Sequence, residues 1–261
     1  TPSVGKHSYS KDAVAELEAN PAKDWEFSHW AGLVAETNKA RTTIAMNMNK
    51  TVTAVFSADS GYVIEFVDQN LEQAIREEIG KPTEPITKGD VSSIDSFVAY
   101  RKNIEKLDGI EHLIELQSLA LQWNSFSDID PLASLVNLQS LYLQQNKIED
   151  LSPLVGLVNL TELCLDNNEI EDITPLADLV NLEYLWLRFN NISDISPLAG
   201  LDKLAWLYIE ENDISDISVL LGLENLRLVY IRNNKLDLSE GSKAMEVIKA
   251  LTDRGVKVYY E

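Results

Sequence analysis

One phrase recurs along this chain at a fixed interval of 22 residues and leaves few folds open to it. LALQWN, LYLQQN, LCLDNN, LWLRFN, LYIEEN and VYIRNN close at Asn124, Asn146, Asn168, Asn190, Asn212 and Asn234. Each places two apolar residues two positions apart, then the asparagine three positions after the second. Alternation in Leu141-Tyr142-Leu143 sends both leucines to one side of a short strand and Tyr142 to the other. A unit of this size buries only part of its apolar set, so copies must stack, and stacking aligns their strands into a parallel sheet. The asparagine stands where the chain leaves the strand, able to bond backbone groups that would each cost about 1–3 kcal/mol if buried unpaired. On the returning side, Ser152-Pro153-Leu154, Thr174-Pro175-Leu176 and Ser196-Pro197-Leu198 read as Ser or Thr N-caps followed by proline. That pattern predicts a short helical turn in each coil.

This spacing is the leucine-rich-repeat signature. The expected fold is an α/β solenoid: a right-handed horseshoe with a parallel concave sheet and short convex 3-10 or helical turns. Its ends carry their own signals. Leu71, Ala74, Ile75 and Ile79 describe one helical face over Asp68–Ile79, stopped by Gly80 and Pro82. A degenerate coil follows, in which Lys102 occupies the asparagine position. After Leu236, Ser242–Thr252 reads as an amphipathic helix and Val256–Tyr260 as a closing strand. The expected organisation is a linker and helical cap over 58–90, repeats over 91–235 with the first coil degenerate, and a C-terminal cap over 236–261.

Residues 1–57 differ in character. Ala13–Ala19, Trp25–Trp30, Thr42–Met46 and Thr51–Phe56 read as strands, with a turn at Asn47–Lys50 and a link at Ser57–Gly61. The F-x-H-W-x-G element from Phe27 to Gly32 and the K-T-V-T-A-V-F ending from Lys50 to Phe56 resemble divergent internalin-type B-repeat modules of prokaryotic surface proteins. The resemblance implies a small all-β, β-grasp-like module serving as an extracellular spacer. F-V-D-Q-N-L-E-Q-A-I-R-E-E-I-G-K-P, from Phe66 to Pro82, resembles the N-terminal cap of internalin-like repeat proteins. Membership of that family implies adhesion or recognition through the concave face, at the cell surface or in the extracellular medium of a bacterium or archaeon.

Composition narrows the partners. The net charge is −20, and all of the excess lies beyond residue 57, where 36 acidic side chains face 16 basic ones. Such a surface repels phosphate backbones and argues against nucleic acid. No apolar run is long enough to insert into a membrane. The single cysteine, Cys164, forms no internal disulfide framework. His7, His29 and His112 are scattered, and no nucleophile–base pair or phosphate loop is present, so neither catalysis nor a cofactor is expected.

The repeats vary where function would need variation. Convex phrases such as DLSPLVGL and DISPLAGL hardly change, whereas the outward strand positions change freely. Before the first strand leucine stand Ser118, Ser140, Glu162, Tyr184, Trp206 and Leu228; between the two stand Ala120, Tyr142, Cys164, Trp186, Tyr208 and Tyr230. Beyond them come Gln122, Gln144, Asp166, Arg188, Glu210 and Arg232, then Trp123, Gln145, Asn167, Phe189, Glu211 and Asn233. Trp123, Trp186 and Trp206 thus fall at solvent positions. The candidate ligand-binding set is Trp123, Tyr142, Tyr184, Trp186, Arg188, Phe189, Trp206, Tyr208, Glu210, Tyr230 and Arg232. Contiguous exposed aromatics with arginine are the composition of binding hot spots. The competing account is mutual shielding, since cross-strand aromatic pairs contribute roughly 0.2–1 kcal/mol each. A protein is the first candidate ligand and a glycan the second; a self-associating surface scaffold is the structural alternative. Asp128, Asp150, Asp172, Asp194 and Asp216 also repeat every 22 residues. Stacked like charges invite a cation, but bonding to turn N–H groups explains the column better, and no metal site is expected. Cys164 points outward beside Glu162 and Asp166, a setting that discourages a thiolate.

Overall fold

Four stretches rich in β-branched and aromatic residues open the chain as strands: β1 (Val14–Glu18), β2 (Trp25–Ala31), β3 (Arg41–Ala45) and β4 (Thr53–Ala58). The computed structural model describes residues 8–10, 12–20, 25–31, 34–36, 39–46, 51–58 and 61–261. They divide into two compact units, one within 1–63 and 87–90, the other comprising 64–86 and 91–261.

In the first unit, β1 pairs antiparallel with β3 and β2 antiparallel with β4, with a bulge between Phe27 and His29. Ala15, Ile44 and Trp30 are buried, and the Trp30 indole N–H donates to the Lys39 carbonyl at 2.9 Å. The expected strands are therefore present, and they pair out of chain order. The expected turn at Asn47–Lys50 lies outside the described residues.

The second unit opens with α1 (Gln69–Ile79), whose buried Leu71, Ala74 and Ile75 form the predicted face. Asp68 is its N-cap: Oδ1 accepts from the N–H of Asn70 and Leu71 at 2.7 and 3.1 Å. Oδ2 accepts from Glu105 and Lys106 at 2.6 and 3.1 Å, so one carboxylate ties the cap to the first coil. Gly80 ends the helix in the left-handed conformation, φ 66°. A short helix, α2 (Lys88–Val91), follows in the chain, most of it in the first unit.

Eight three-residue strands then form one parallel sheet in chain order. They are β5 (Ser96–Val98), β6 (Ser118–Ala120), β7 (Ser140–Tyr142), β8 (Glu162–Cys164), β9 (Tyr184–Trp186), β10 (Trp206–Tyr208), β11 (Leu228–Tyr230) and, after α3 (Lys243–Asp253), β12 (Lys257–Tyr259). The central residues Phe97, Leu119, Leu141, Leu163, Leu185, Leu207, Val229 and Val258 align in one row. From Leu119 to Val229 that row is wholly buried. Burial of each such side chain contributes about 1.5–3 kcal/mol, which is why the stack of coils is its own core. The Asn column behaves as a seam. Asn168 Nδ2 donates to the carbonyls of Leu165 and Leu143 at 3.0 and 3.2 Å, and its Oδ1 accepts from the Ile148 N–H at 3.0 Å. Lys102 cannot do this, and its own N–H donates instead to Asn124 Oδ1 at 3.0 Å.

The returning side forms 3-10 turns such as Ser152–Leu154, Thr174–Leu176 and Ser196–Gly200. Their Ser and Thr are not N-caps as expected; they are the first residues of the turns. Asp150, Asp172 and Asp194 take the capping role, each accepting the N–H two residues on at 2.7–2.8 Å. Asp128 and Asp216 do the same, so the aspartate column consists of turn acceptors.

Candidate functional site

The outward positions of β9 to β12 assemble the aromatic array. Parallel pairing sets Trp186, Tyr208, Tyr230 and Tyr259 in one row. Their rings stack with centroids 5.6, 5.1 and 4.3 Å apart and planes within 12°. In the neighbouring row Tyr184 stacks on Trp206 at 4.2 Å, and Tyr184 and Trp186 join the two rows at 5.8 Å. Trp186 and Trp206, read from the sequence as solvent positions, are accordingly half-buried by their neighbours. Rings inside such a stack cover one another's faces and leave their edges and phenol hydroxyls outward.

Arginines brace this array. Arg188 lies 5.5 Å from the Tyr208 ring, Arg227 5.8 Å from Trp206, and Arg232 5.7 Å from Tyr259. Arg188 Nε and Nη2 also donate to Asp166 Oδ2 at 2.8 and 2.6 Å, and its backbone N–H donates to Oδ1 at 2.7 Å. Burial pushes the Asp166 carboxyl up, and Arg188 offsets only part of that. Glu210 sits between Arg188 and Arg232 in the same column, half-buried, with one carboxylate oxygen unpartnered. Burial raises it as well, against the pull of the two arginines.

Tyr142 stands apart from the stack, its hydroxyl donating to the Glu162 carboxylate. Burial, then that carboxylate, push the phenol up to about 12. Cys164 is in the outward register but is buried by its neighbours, contrary to an exposed position. Burial first and Asp166 second raise its thiol to about 12. Beyond the array, Trp123 is 46% and Phe189 50% exposed. Both have left-handed backbones, φ 63° and 54°, as does the residue before every ladder asparagine from Asn124 to Asn234. Arg101 lies 4.5 Å above the Trp123 ring.

Tyr259, Arg227 and Arg101 belong to this face yet were missed from sequence. All eleven candidates lie at the outward register positions, but their rings do not form one continuous stack. Tyr184 to Tyr230 with their arginines make the stacked region, and Trp123 and Tyr142 meet its near end, Trp186 and Arg188, around a shared pocket.

Known proteins match both parts of the chain. Residues 2–60 match the divergent InlB B-repeat domain, and 114–156, 136–178 and 158–200 match leucine-rich repeats in two-copy units. A crystal structure of internalin C2 from Listeria monocytogenes is 31% identical over 75% of this chain and 94% of its own, TM-score 0.58. An internalin (inlF) from the same organism is 33% identical over 74% of this chain, TM-score 0.68; the chain spans 56% of that structure. A leucine-rich-repeat protein of Leptospira interrogans shares the fold at 20% identity, TM-score 0.53. No curated protein matches the sequence. With a stacked-coil sheet, an asparagine seam and a B-repeat sequence ahead of it, the chain belongs to the internalin-type leucine-rich-repeat proteins, a non-catalytic family.

Proposed function

We propose that the outward sheet face of the repeats recognises a protein ligand outside the cell. The observation that carries this reading is the placement of Trp123 and Phe189. Both are large, exposed aromatics in a left-handed backbone. That conformation disfavours bulky residues and suits asparagine or glycine. The same structural position holds polar residues in the other coils, Gln145, Asn167, Glu211 and Asn233. The backbone conformation therefore does not favour tryptophan or phenylalanine there, whereas a binding surface does.

Shielding accounts well for the interior of the ring stack, whose members cover each other. It does not account for these two. A glycan is the weaker ligand, because sugars dock on ring faces and the stacked rings offer mostly edges. In this reading, residues 1–57 are a β-grasp-like spacer, 58–90 and 236–261 are caps, and 91–235 carry recognition.

The test combines Trp123→Asn and Phe189→Asn. Each is expected to stabilise the repeats by about 0.5–1 kcal/mol in urea unfolding. Both should weaken capture on an array of extracellular proteins by roughly tenfold. Unchanged capture with raised stability would remove the reading. Light scattering on the same variants checks the scaffold alternative: a concentration-dependent dimer abolished by them would place self-assembly on this face instead.

A further inference from the structure

Three adjacent strands put Tyr142, Cys164 and Trp186 side by side in one row. From Tyr142 to Tyr259 every other member of that row is aromatic. The ring stack ends at Trp186, which has Tyr208 on one side at 5.6 Å and only the short Cys164 side chain on the other. The result is a pocket of about 500 Å³, with Trp123, Tyr142, Gln144, Cys164 and Trp186 in its lining. Tyr142 and Trp186 are two strand spacings apart, about 9–10 Å, which is room for one more flat group in the stack. The buried Oε1 of Gln144 has no hydrogen-bond partner. Glu162 accepts from the Tyr142 hydroxyl on the same face, and the Asp166–Arg188 ion pair also lines the gap.

We propose that this gap is a subsite for an arginine side chain of the protein ligand. A guanidinium is flat, stacks on aromatic faces and carries five N–H donors but no acceptor. It would complete the row of rings against Trp186 and, with the half-buried Gln144 amide turned outward, supply the donor that its Oε1 lacks. The pocket's own Arg188 does not fill this role, because two of its N–H groups are committed to Asp166 at 2.8 and 2.6 Å. The chain already makes the same contact at another ring of the lining, with Arg101 4.5 Å above Trp123. An aromatic side chain would leave the Gln144 oxygen unpaired, and a lysine ammonium has no flat face to stack. The inference rests on the sheet face being a protein-recognition surface.

The experiment titrates the ¹⁵N-labelled chain with acetyl-arginine methylamide and, separately, acetyl-lysine methylamide, following the indole N–H signals. A saturable shift of Trp186 is expected with the arginine probe, roughly tenfold weaker with the lysine probe. Cys164→Phe, whose ring fills the gap, should abolish the shift. Gln144→Leu, at a half-exposed position, provides a second variant and should weaken binding by about three- to tenfold. No saturable shift at Trp186, an equal response to lysine, or full retention in Gln144→Leu would overturn the subsite. If the arginine response is absent while protein capture still depends on Phe189, only the subsite falls. If the arginine response is present while capture ignores Phe189, the surface reading falls instead.

Discussion

Asn168 shows how one side chain ties together backbone groups of two coils. Its amide satisfies Leu143, Leu165 and Ile148 across two coils, all inside a buried seam. Asn168→Ala removes those bonds together and should cost about 2–4 kcal/mol, read as a lower urea midpoint. Asn168→Asp should do no better, because an aspartate accepts but cannot donate. The asparagines were legible because their role demands both a donor and an acceptor at a fixed offset from the strand. The turn caps were misread for a local reason. Ser152 has the right chemistry to cap, but Asp150 lies two residues before it and accepts its N–H at 2.7 Å and its hydroxyl at 2.8 Å.

At the level of elements, α1 is fastened by Asp68. Burial alone would push this carboxyl up, but bonds from the N–H groups of Glu105, Leu71, Lys106 and Asn70 outweigh it and hold the group below its usual range. A carboxylate lowered in the folded state contributes stability above its unfolded value, and that contribution is lost as pH falls toward the folded one. Thermal melts should therefore drop as pH falls below about 4. Asp68→Asn should melt earlier at neutral pH, by about 0.5–2 kcal/mol, and flatten that acid slope. An unaltered slope would assign the acid sensitivity to other groups. Gly109 offers a steric counterpart at the same end. It has φ 103°, and an added Cβ would meet the Phe66 ring at 2.5 Å. Gly109→Ala should cost about 1–3 kcal/mol in urea unfolding.

Strand and cap elements were readable because the apolar alternation and helical spacing are strong over each segment. Tyr259 was not, since α3 intervenes and breaks the 22-residue count that located Tyr230. Arg227 precedes its strand, at a position where other coils carry Gln139, Thr161 and Glu183, so no column marked it. Sequence also separated inward from outward positions in each strand. Whether outward rings would face solvent or one another depends on cross-strand spacing, which no single repeat contains.

For the molecule as a whole, charge is the dominant long-range term. The excess of 36 acidic over 16 basic side chains beyond residue 57 includes an aspartate in every turn from Asp128 to Asp216. Self-repulsion of this kind is screened by salt, and Asp216 already draws on Lys243 at 2.7 Å to relieve it. Adding sodium chloride to about 0.5 M should raise the melting temperature of the repeats by about 2–5 °C. A melting temperature that falls with salt would mean that ion pairs outweigh repulsion.

The stacking of like coils also makes the face a graduated object. Its length changes only in whole steps of about 4.8 Å, one per coil gained or lost, while the buried row and the asparagine seam rejoin at every step. Excising the 22 residues that carry Cys164 would bring Tyr142 directly against Trp186 and make the ring row continuous to Tyr259. One cut at repeat length would thus erase a gap in the surface, and nothing in the core would register that a coil had been there.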